Sequence, residues 1–273
     1  MEKFQRRNGL TADGVIGPQT YRALTGGSAA ATAITPQIKE TIKVNMERLR
    51  WLDHSIASER YVWVNLPAYQ LQAYSSGSSF GEPTLTMNTV IGKTGRYSTP
   101  IKAKGMSSVV FSPYWYVPPS IANKDYWPKQ RANPNFLASQ NMEVTKNGTI
   151  RQRPGGRNSL GRVKFMLPND DAIYLHDTPS QHLFSRAERA FSHGCVRVQQ
   201  PEKLAQFVMA GSMSDTQIRQ AMQSGRERHV VVKDKIPAIL MYATATVNSR
   251  GELQLYKDIY GLDEKLKRAL AAR

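Results

Sequence analysis

One cysteine occurs among 273 residues. It sits in the run FSHGCVRV (191–198), and its neighbours are those a thiol nucleophile would use. A lone cysteine is commonly a small buried hydrophobe. Here Gly194 just before it lets the backbone approach another group closely. The amides at 194 and 195 could then face a developing oxyanion. Arg197 brings positive charge, which favours thiolate over thiol. A single cysteine forms no internal disulfide and supplies no cysteine-rich zinc or iron–sulfur site, so if it acts it acts as a thiol.

A thiol needs a base, because a free cysteine has a pKa near ~8.5 and is mostly protonated at neutral pH. Five histidines are available. His54 reads as a surface residue near a helix–domain junction, His182 lies in a loop before a helix, and His229 opens a strand. His193 is two residues from Cys195 and shares its face if the chain is extended, although spacing alone does not force contact. His176 closes the run AIYLH, 19 residues before the cysteine. A strand end that returned through a loop and helix to a neighbouring strand would set His176 beside Cys195. Tyr174 alternates with His176 on one strand face, either as an O–H donor or as a core tyrosine.

The elements that must position these groups read mainly as strands. From residue 60 the apolar period is two: Val62, Val64 and Leu66 alternate with Tyr61, Trp63 and Asn65. LTMNTVIG (85–92), SSVVFSPYWYV (107–117), DAIYLH (171–176), HVVVK (229–233), ILMYATATV (239–247) and LQLY (253–256) continue the strand character. Helices are predicted over 183–190, 201–210 and 214–223. Residues 36–51 carry Ile38, Ile42, Met46 and Leu49 at helical spacing, which predicts a helix docking that face on the core. Residues 118–157 are rich in Pro, Asn, Lys, Arg and Gln and read as an inserted flap or cap over a site, with a loose surface excursion as the bland alternative. The class expected is α+β, mainly β with a few helices; long βαβ alternation is absent.

At the N-terminus, FQRRNGL ends a helical pattern at Gly9, DGVIG (13–17) is a turn, and PQTYRAL (18–24) restarts a helix at Pro18. Two short helices bury little alone, so a third is expected upstream. GGSAAATAIT (26–35) reads as a linker. The organisation expected is thus 1–25 as a partial helical module, 26–35 as linker, 36–59 as docking helix, 60–235 as the main domain and 236–273 as C-terminal strands and helix. Residues after Met1 lack the apolar segment of a signal peptide, so the protein is either cytoplasmic or begins downstream of its targeting segment.

Composition narrows the classes. Hydrophobic residues make up 40%, which excludes wholesale disorder. No apolar run approaches the ~18 residues of a membrane span. The net charge is +16, without a run of five or six basic residues. The charge is either a soluble basic surface or an affinity for a polyanion: nucleic acid, anionic lipid or wall polymer. No nucleic-acid motif is present, so a nucleic-acid partner is not expected.

HDTP (176–179) and, with fifteen residues between His176 and Ser192, the cluster SHGCVR (192–197) together resemble the signature of the YkuD L,D-transpeptidase catalytic domain. RNSLGRVKF (157–165) resembles the stretch before that family's catalytic histidine. YWYVPPSIANKD (114–125) and TPSQHLFSRAERAFSHGCVRV (178–198) resemble its YcbB-like branch. FQRRNGLTADGVIGPQTYRAL is similar to the second half of a peptidoglycan-binding three-helix module. The resemblance implies a β-sandwich or barrel-like catalytic domain over roughly 60–260, with a short form of the branch's substrate-capping insertion.

The resemblance also implies roles. Cys195 would be the nucleophile and His176 the base, with Gly194 and Cys195 amides, and Tyr174 O–H, at the oxyanion. Asp177 would orient His176 through its carbonyl, or as a side-chain triad member. Arg197 would grip a substrate carboxylate or anchor its loop; Ser192 and His193 would shape that loop, and Asn158, Ser159 and Gly161 the site wall. The implied reaction takes the L-centre carbonyl of a tetrapeptide stem, releases D-alanine, and gives a 3→3 cross-link. Water as acceptor would make it an L,D-carboxypeptidase; a non-catalytic wall-binding protein is the rival from another class. No metal or organic cofactor is expected. Expected partners are peptidoglycan stems and other wall-synthesis enzymes, in the periplasm or cell envelope, with carbapenem sensitivity and a part in cell shape.

Overall fold

In the computed structural model, the structure describes residues 1–7, 10–17, 19–20, 34–53, 60–77, 82–248 and 251–272. The helix end at Gly9, the helix restart over 18–24, the linker over 26–33 and His54 lie outside the described residues, apart from Gln19 and Thr20. The chain divides into two compact units that interleave along the sequence: 1–104, 182–194 and 237–273 in one, 105–181 and 195–236 in the other.

The first unit holds a sheet in the order Leu85–Gly92, Gln70–Tyr74, Tyr61–Asn65, Pro237–Met241. The strand from the C-terminal segment joins in parallel, from Val62↔Ala238 to Asn65↔Met241. That pairing is why 237–273 belongs with the N-terminal strands. Tyr61 and Tyr74 stack at 4.7 Å over Ile239, Met241 and Ala243. Ala190–Ser192 runs parallel to Leu85–Gly92.

The helix Pro36–Arg50 starts with Thr35 as N-cap and Pro36 at its first position. Its buried face is not the expected one. Val44, Asn45 and Arg48 are buried, whereas Met46 and Leu49 are exposed. The reason is polar complementarity. Asn45 Nδ2 donates to Thr244 Oγ1 at 2.8 Å and Arg48 Nη1 pairs with Asp263 at 2.5 Å. Apolar periodicity cannot see partners that come from 200 residues away. Ile42, Met46 and Leu49 instead line an apolar groove of about 400 Å³ with Trp63 and Val247.

In the N-terminal fragment the helix Glu2–Arg7 is held to the turn after it by one residue. Buried Gln5 donates to Asp13 Oδ1, Val15 O and Thr20 Oγ1, and accepts from Gly14 N–H. This polar bracket stands in for the core that so short a segment cannot build.

The second unit holds a sheet in the order Arg228–Val231, Ser108–Phe111, Val163–Met166, Tyr174–His176, Val196–Val198. Every pairing is antiparallel except the last, which is parallel. The helices Pro201–Met209 and Asp215–Gln223 pack beside each other in sequence, the second opened by a capping box on Ser214 and Gln217. In the segment 182–194, which belongs to the first unit, the helix predicted over 183–190 is instead a 3-10 segment, Gln181–Ser185, followed by the strand from Ala190. Arg189 breaks that pattern: its guanidinium is buried and donates to the carbonyls of Thr89, Arg186 and Tyr69.

Residues 113–157 fold as a small body rather than a loose excursion. Trp115–Tyr116, Ile150–Gln152 and Met142–Val144 make a three-stranded sheet. Short helical turns from Pro119 to Ala132 pack on it. Val117, Ala122, Leu137, Met142 and Ile150 form its core, with Trp115, Tyr126, Trp127 and Phe136 packed against them. Tyr116, on the edge of this sheet, is exposed. No helix among the described residues is long and apolar enough to cross a membrane. The fold class is the expected one, mainly β with a few helices.

Candidate active site

The parallel pair in the second unit sets the site. Leu175 lies opposite Val196 and His176 opposite Arg197. In a parallel pair, opposed residues point to the same side, and alternate residues share a face. Leu175, Val196 and Val198 point into the core and are buried. One step back in register, Cys195 lies beside Tyr174. Tyr174, His176, Cys195 and Arg197 therefore share one face, and His176 is the diagonal neighbour of Cys195.

His176 is buried, and its Nδ1 lies 2.5 Å from the carbonyl oxygen of Asp177. A carbonyl only accepts, so Nδ1 carries the hydrogen and Nε2 keeps its lone pair. Burial, reinforced by the Arg197 and Lys164 cations, holds the imidazole down at about 3. It is neutral at any ordinary pH. The rings of Tyr174 and His176 meet edge to face at 5.6 Å.

The Asp177 carboxylate faces away from this work. Oδ2 accepts from Arg162 N–H at 2.8 Å and Oδ1 from Thr178 N–H at 2.6 Å. Gly161 lets it sit there: a Cβ on residue 161 would lie 2.2 Å from the Asp177 carboxylate, and its φ of +62° is left-handed. So the main chain of Asp177 meets the imidazole while its side chain ties two loops.

Cys195 is partly exposed. Its Sγ lies 3.7 Å from the carbonyl of Ala172, a residue held at φ +52°. Burial raises the thiol pKa, opposed by hydrogen bonds from Tyr174 and by the charges of Arg197 and Lys164. The resting pair is consequently a neutral thiol and a neutral imidazole. Burial likewise raises Tyr174 well above the usual phenol range, so its hydroxyl stays a donor. The loop carrying Ala172 is braced by Asn169, which donates to Leu167 O and Ile173 O and accepts from Ile173 N–H.

The residues just before the cysteine belong to the first unit. Gly194 has φ +120°, a region L side chains rarely enter. Its N–H donates to Ser192 Oγ at 3.1 Å and its carbonyl accepts from Thr99 Oγ1 at 2.7 Å. The Gly194 amide is thus engaged in this state, and Ser192 is buried beneath it. His193 is exposed and meets Tyr97 edge to face at 4.5 Å.

Asn158 is fully buried. Its Nδ2 donates to Pro113 O, Gln152 O and Arg153 O, and its Oδ1 accepts from Leu160 N–H. That leaves it a bracket for the loop 157–161, with Ser159 N–H bonded to Gln152. Arg197 is half-buried and its Nε is buried without a hydrogen-bond partner. Lys164, on the strand Val163–Met166, lies opposite His176 on the side away from Arg197. Sequence reading passed over Lys164, Asn169, Ala172 and Thr99. Lys164 sits in a four-residue strand whose alternation marks it as one more solvent-facing charge, and the other three act through main-chain partners that no motif displays.

Residues 59–230 match the family model described as "L,D-transpeptidase catalytic domain", and residues 1–24 match the "Putative peptidoglycan binding domain". A protein of Haemophilus influenzae named "Putative L,D-transpeptidase" is 30% identical over 87% of this chain, which spans only 51% of that relative. Solved structures with a likeness include L,D-transpeptidase 3 of Mycobacterium tuberculosis with a faropenem-derived adduct, at 13% identity and TM-score 0.34 over 67% of this chain and 60% of that one. Another is Bd1075 of Bdellovibrio bacteriovorus, at 14% identity and TM-score 0.31 over 81% and 57%. Likenesses this remote say nothing about the site.

Proposed function

The chain belongs to the L,D-transpeptidase catalytic-domain family, and from that premise we propose that it is a cysteine acyltransferase cross-linking peptidoglycan stems in the cell envelope. The observation that carries the proposal is the single sheet face shared by the thiol and by an imidazole whose Nδ1 is tied to a carbonyl. A neutral imidazole with a free Nε2 is the form a general base needs.

The reaction would run in two halves. Nε2 of His176 takes the thiol proton as Sγ of Cys195 attacks the L-centre carbonyl of a tetrapeptide stem. The C–N bond to D-alanine breaks, and the imidazolium returns its proton to the leaving amine. That leaves a thioester on Cys195. A diamino-acid side-chain amine of a second stem then attacks, gives its proton to His176, and releases the thiol, which regains it. The tetrahedral oxyanion would be met by the Tyr174 hydroxyl, a donor at every working pH, and by the Cys195 amide. Gly194 N–H could join only by leaving Ser192 Oγ, so Ser192 would gate it. His193, exposed beside Tyr97, would shape the loop that carries it. Arg197 would anchor its strand or meet a stem carboxylate. The N-terminal fragment would bind wall polymer, and the +16 charge would favour anionic surfaces.

The test is intact-mass spectrometry after mixing the protein with a purified disaccharide-tetrapeptide, with and without an acceptor stem. A mass of two stems less one D-alanine establishes the transpeptidase. A tripeptide as sole product makes it the L,D-carboxypeptidase. No product and no carbapenem adduct on Cys195 leaves the wall-binding protein.

A further inference from the structure

Lys164, His176 and Arg197 lie in one row across three strands, through the pairs His176↔Lys164 and His176↔Arg197. A cation thus stands on each side of the neutral imidazole. Among the described residues no ion pair joins either cation to a carboxylate, and the Arg197 Nε is buried without an acceptor. The acidic group nearest in effect to Lys164 is Glu227. Its carboxylate is already engaged: Oε1 accepts from Tyr114 N–H at 2.9 Å and Oε2 lies 3.6 Å from His229 Nε2. A half-buried ammonium without a counterion is unfavourable. Strand packing does not ask for one, since Met166 fills the same face two residues on.

Where the ammonium points decides the ligand. Lys164 Nζ stands 5.8 Å from the centroid of the Tyr174 ring, whose hydroxyl in turn neighbours the Cys195 thiol. The cation and the nucleophile therefore flank one aromatic side chain. In a donor stem poised for attack, the scissile carbonyl lies at Sγ, and the α-carboxylate of the leaving residue is three bonds beyond that carbonyl carbon. We propose that Lys164 binds the terminal carboxylate of the donor stem, making it a specificity-determining residue that selects stems ending in a free acid. The inference rests on the acyl-transfer reading. It adds to that reading a charge-assisted hydrogen bond on the leaving side and a cause for rejecting donors whose terminus is blocked, since these would leave the ammonium desolvated and unpaired.

The test compares two tetrapeptide stems that differ only in a C-terminal carboxylate or carboxamide. Binding is read as protection of Cys195 from iodoacetamide, and turnover by mass, for the wild type, Lys164→Met, Lys164→Gln and Lys164→Arg. The wild type should prefer the acid by about 10–100-fold, the size of a hydrogen bond to a charged group. Lys164→Met should bring the acid-to-amide ratio close to one, and Lys164→Arg should restore most of it. Lys164→Gln, which keeps a long polar side chain, should behave as Lys164→Met and guards against a strand disturbed by the methionine. A preference that survives in both neutral variants overturns the assignment. So does an equal loss for both stems, which is the result expected of a structural or thiol-tuning lysine. A wild type protected by neither stem overturns the acyl-transfer reading itself, and this inference with it.

Discussion

Two clusters of buried polar groups, one in each unit, follow opposite rules. In the first unit Arg48, Asp263, Thr244 and Asn45 close on one another. Arg48 Nη1 meets Asp263 Oδ1 at 2.5 Å, Asp263 Oδ2 accepts from Thr244 at 2.6 Å, and Thr244 accepts from Asn45 at 2.8 Å. The guanidinium lies over the Tyr242 ring at 5.1 Å, and its Nη2 is buried without a hydrogen-bond partner. In the second unit Lys164 and Arg197 flank an uncharged imidazole with no carboxylate between them. Burying a charge is tolerable when a partner and hydrogen bonds accompany it. The first cluster meets that condition and reads as support. The second does not, and unbalanced, strongly perturbed groups gather where chemistry is done.

The sharpest way to break the contrast is to remove one group from the unbalanced cluster. Cys195→Ala should reduce acyl transfer on the order of 10³-fold or more, with unfolding stability within about 1 kcal/mol of the wild type. Product formation by mass and a denaturant titration measure the two. Residual cross-linking by that variant would remove Cys195 from the nucleophile's role.

Next in size is the pH dependence that His176 imposes. Its folded pKa, about 3, lies below the ordinary ~6.5 of a free imidazole. As pH falls through 6.5 the unfolded chain takes the proton first, so stability present above that pH is lost progressively down to about 3. Asp177, whose pKa burial raises, works in the opposite sense near the carboxylate range. The difference between the wild type and His176→Asn isolates the histidine: the wild-type curve should fall more steeply between pH 6.5 and 4. Parallel curves would mean that the imidazole is not held neutral.

Legibility in the sequence divides along the same line. Strands such as Tyr61–Asn65 and Leu85–Gly92 show themselves through their strand-forming residue types, even though burial on both faces blurs the alternation. The cysteine motif is legible because chemistry-bearing residue types stand next to each other in the chain, whereas His176, 19 residues earlier, is picked out only by the family resemblance. The remaining features depend on partners distant in sequence. The buried face of Pro36–Arg50 is set by Thr244 and Asp263, so the apolar stripe Ile42, Met46 and Leu49 misleads. The parallel pairing of Tyr61–Asn65 with Pro237–Met241 leaves no local mark. Lys164 matters only because His176 lies opposite it. The body around 142–152 hides its strands among polar residues, because each has only two or three residues and one small core serves them all.

The balanced cluster is tested by unbalancing it. Asp263→Ala leaves Arg48 buried without its carboxylate and should lower stability by about 3–5 kcal/mol, read as a denaturant midpoint, while the protein that remains folded keeps its rate. Replacing Arg48 by Met in the same chain should recover much of the loss, since the uncompensated charge is then gone. If Asp263→Ala is nearly neutral, the cluster is not the support its geometry implies.

Burial, rather than the presence of an ion pair, is what that argument turns on, and the first unit supplies a control. Lys257 Nζ lies 2.7 Å from Glu188, but the two side chains are 73% and 68% exposed. Water screens both ions, and holding two long side chains in one geometry has an entropic cost. Lys257→Ala should therefore shift stability by no more than about 0.5 kcal/mol, and the shift should vanish at high salt, where the screening length falls to about 3 Å. Both pairs have short contacts, so distance alone predicts similar effects, whereas burial predicts several-fold different ones. An effect of Lys257→Ala comparable to that of Asp263→Ala would mean that contact distance, and not desolvation, ranks the ion pairs of this unit.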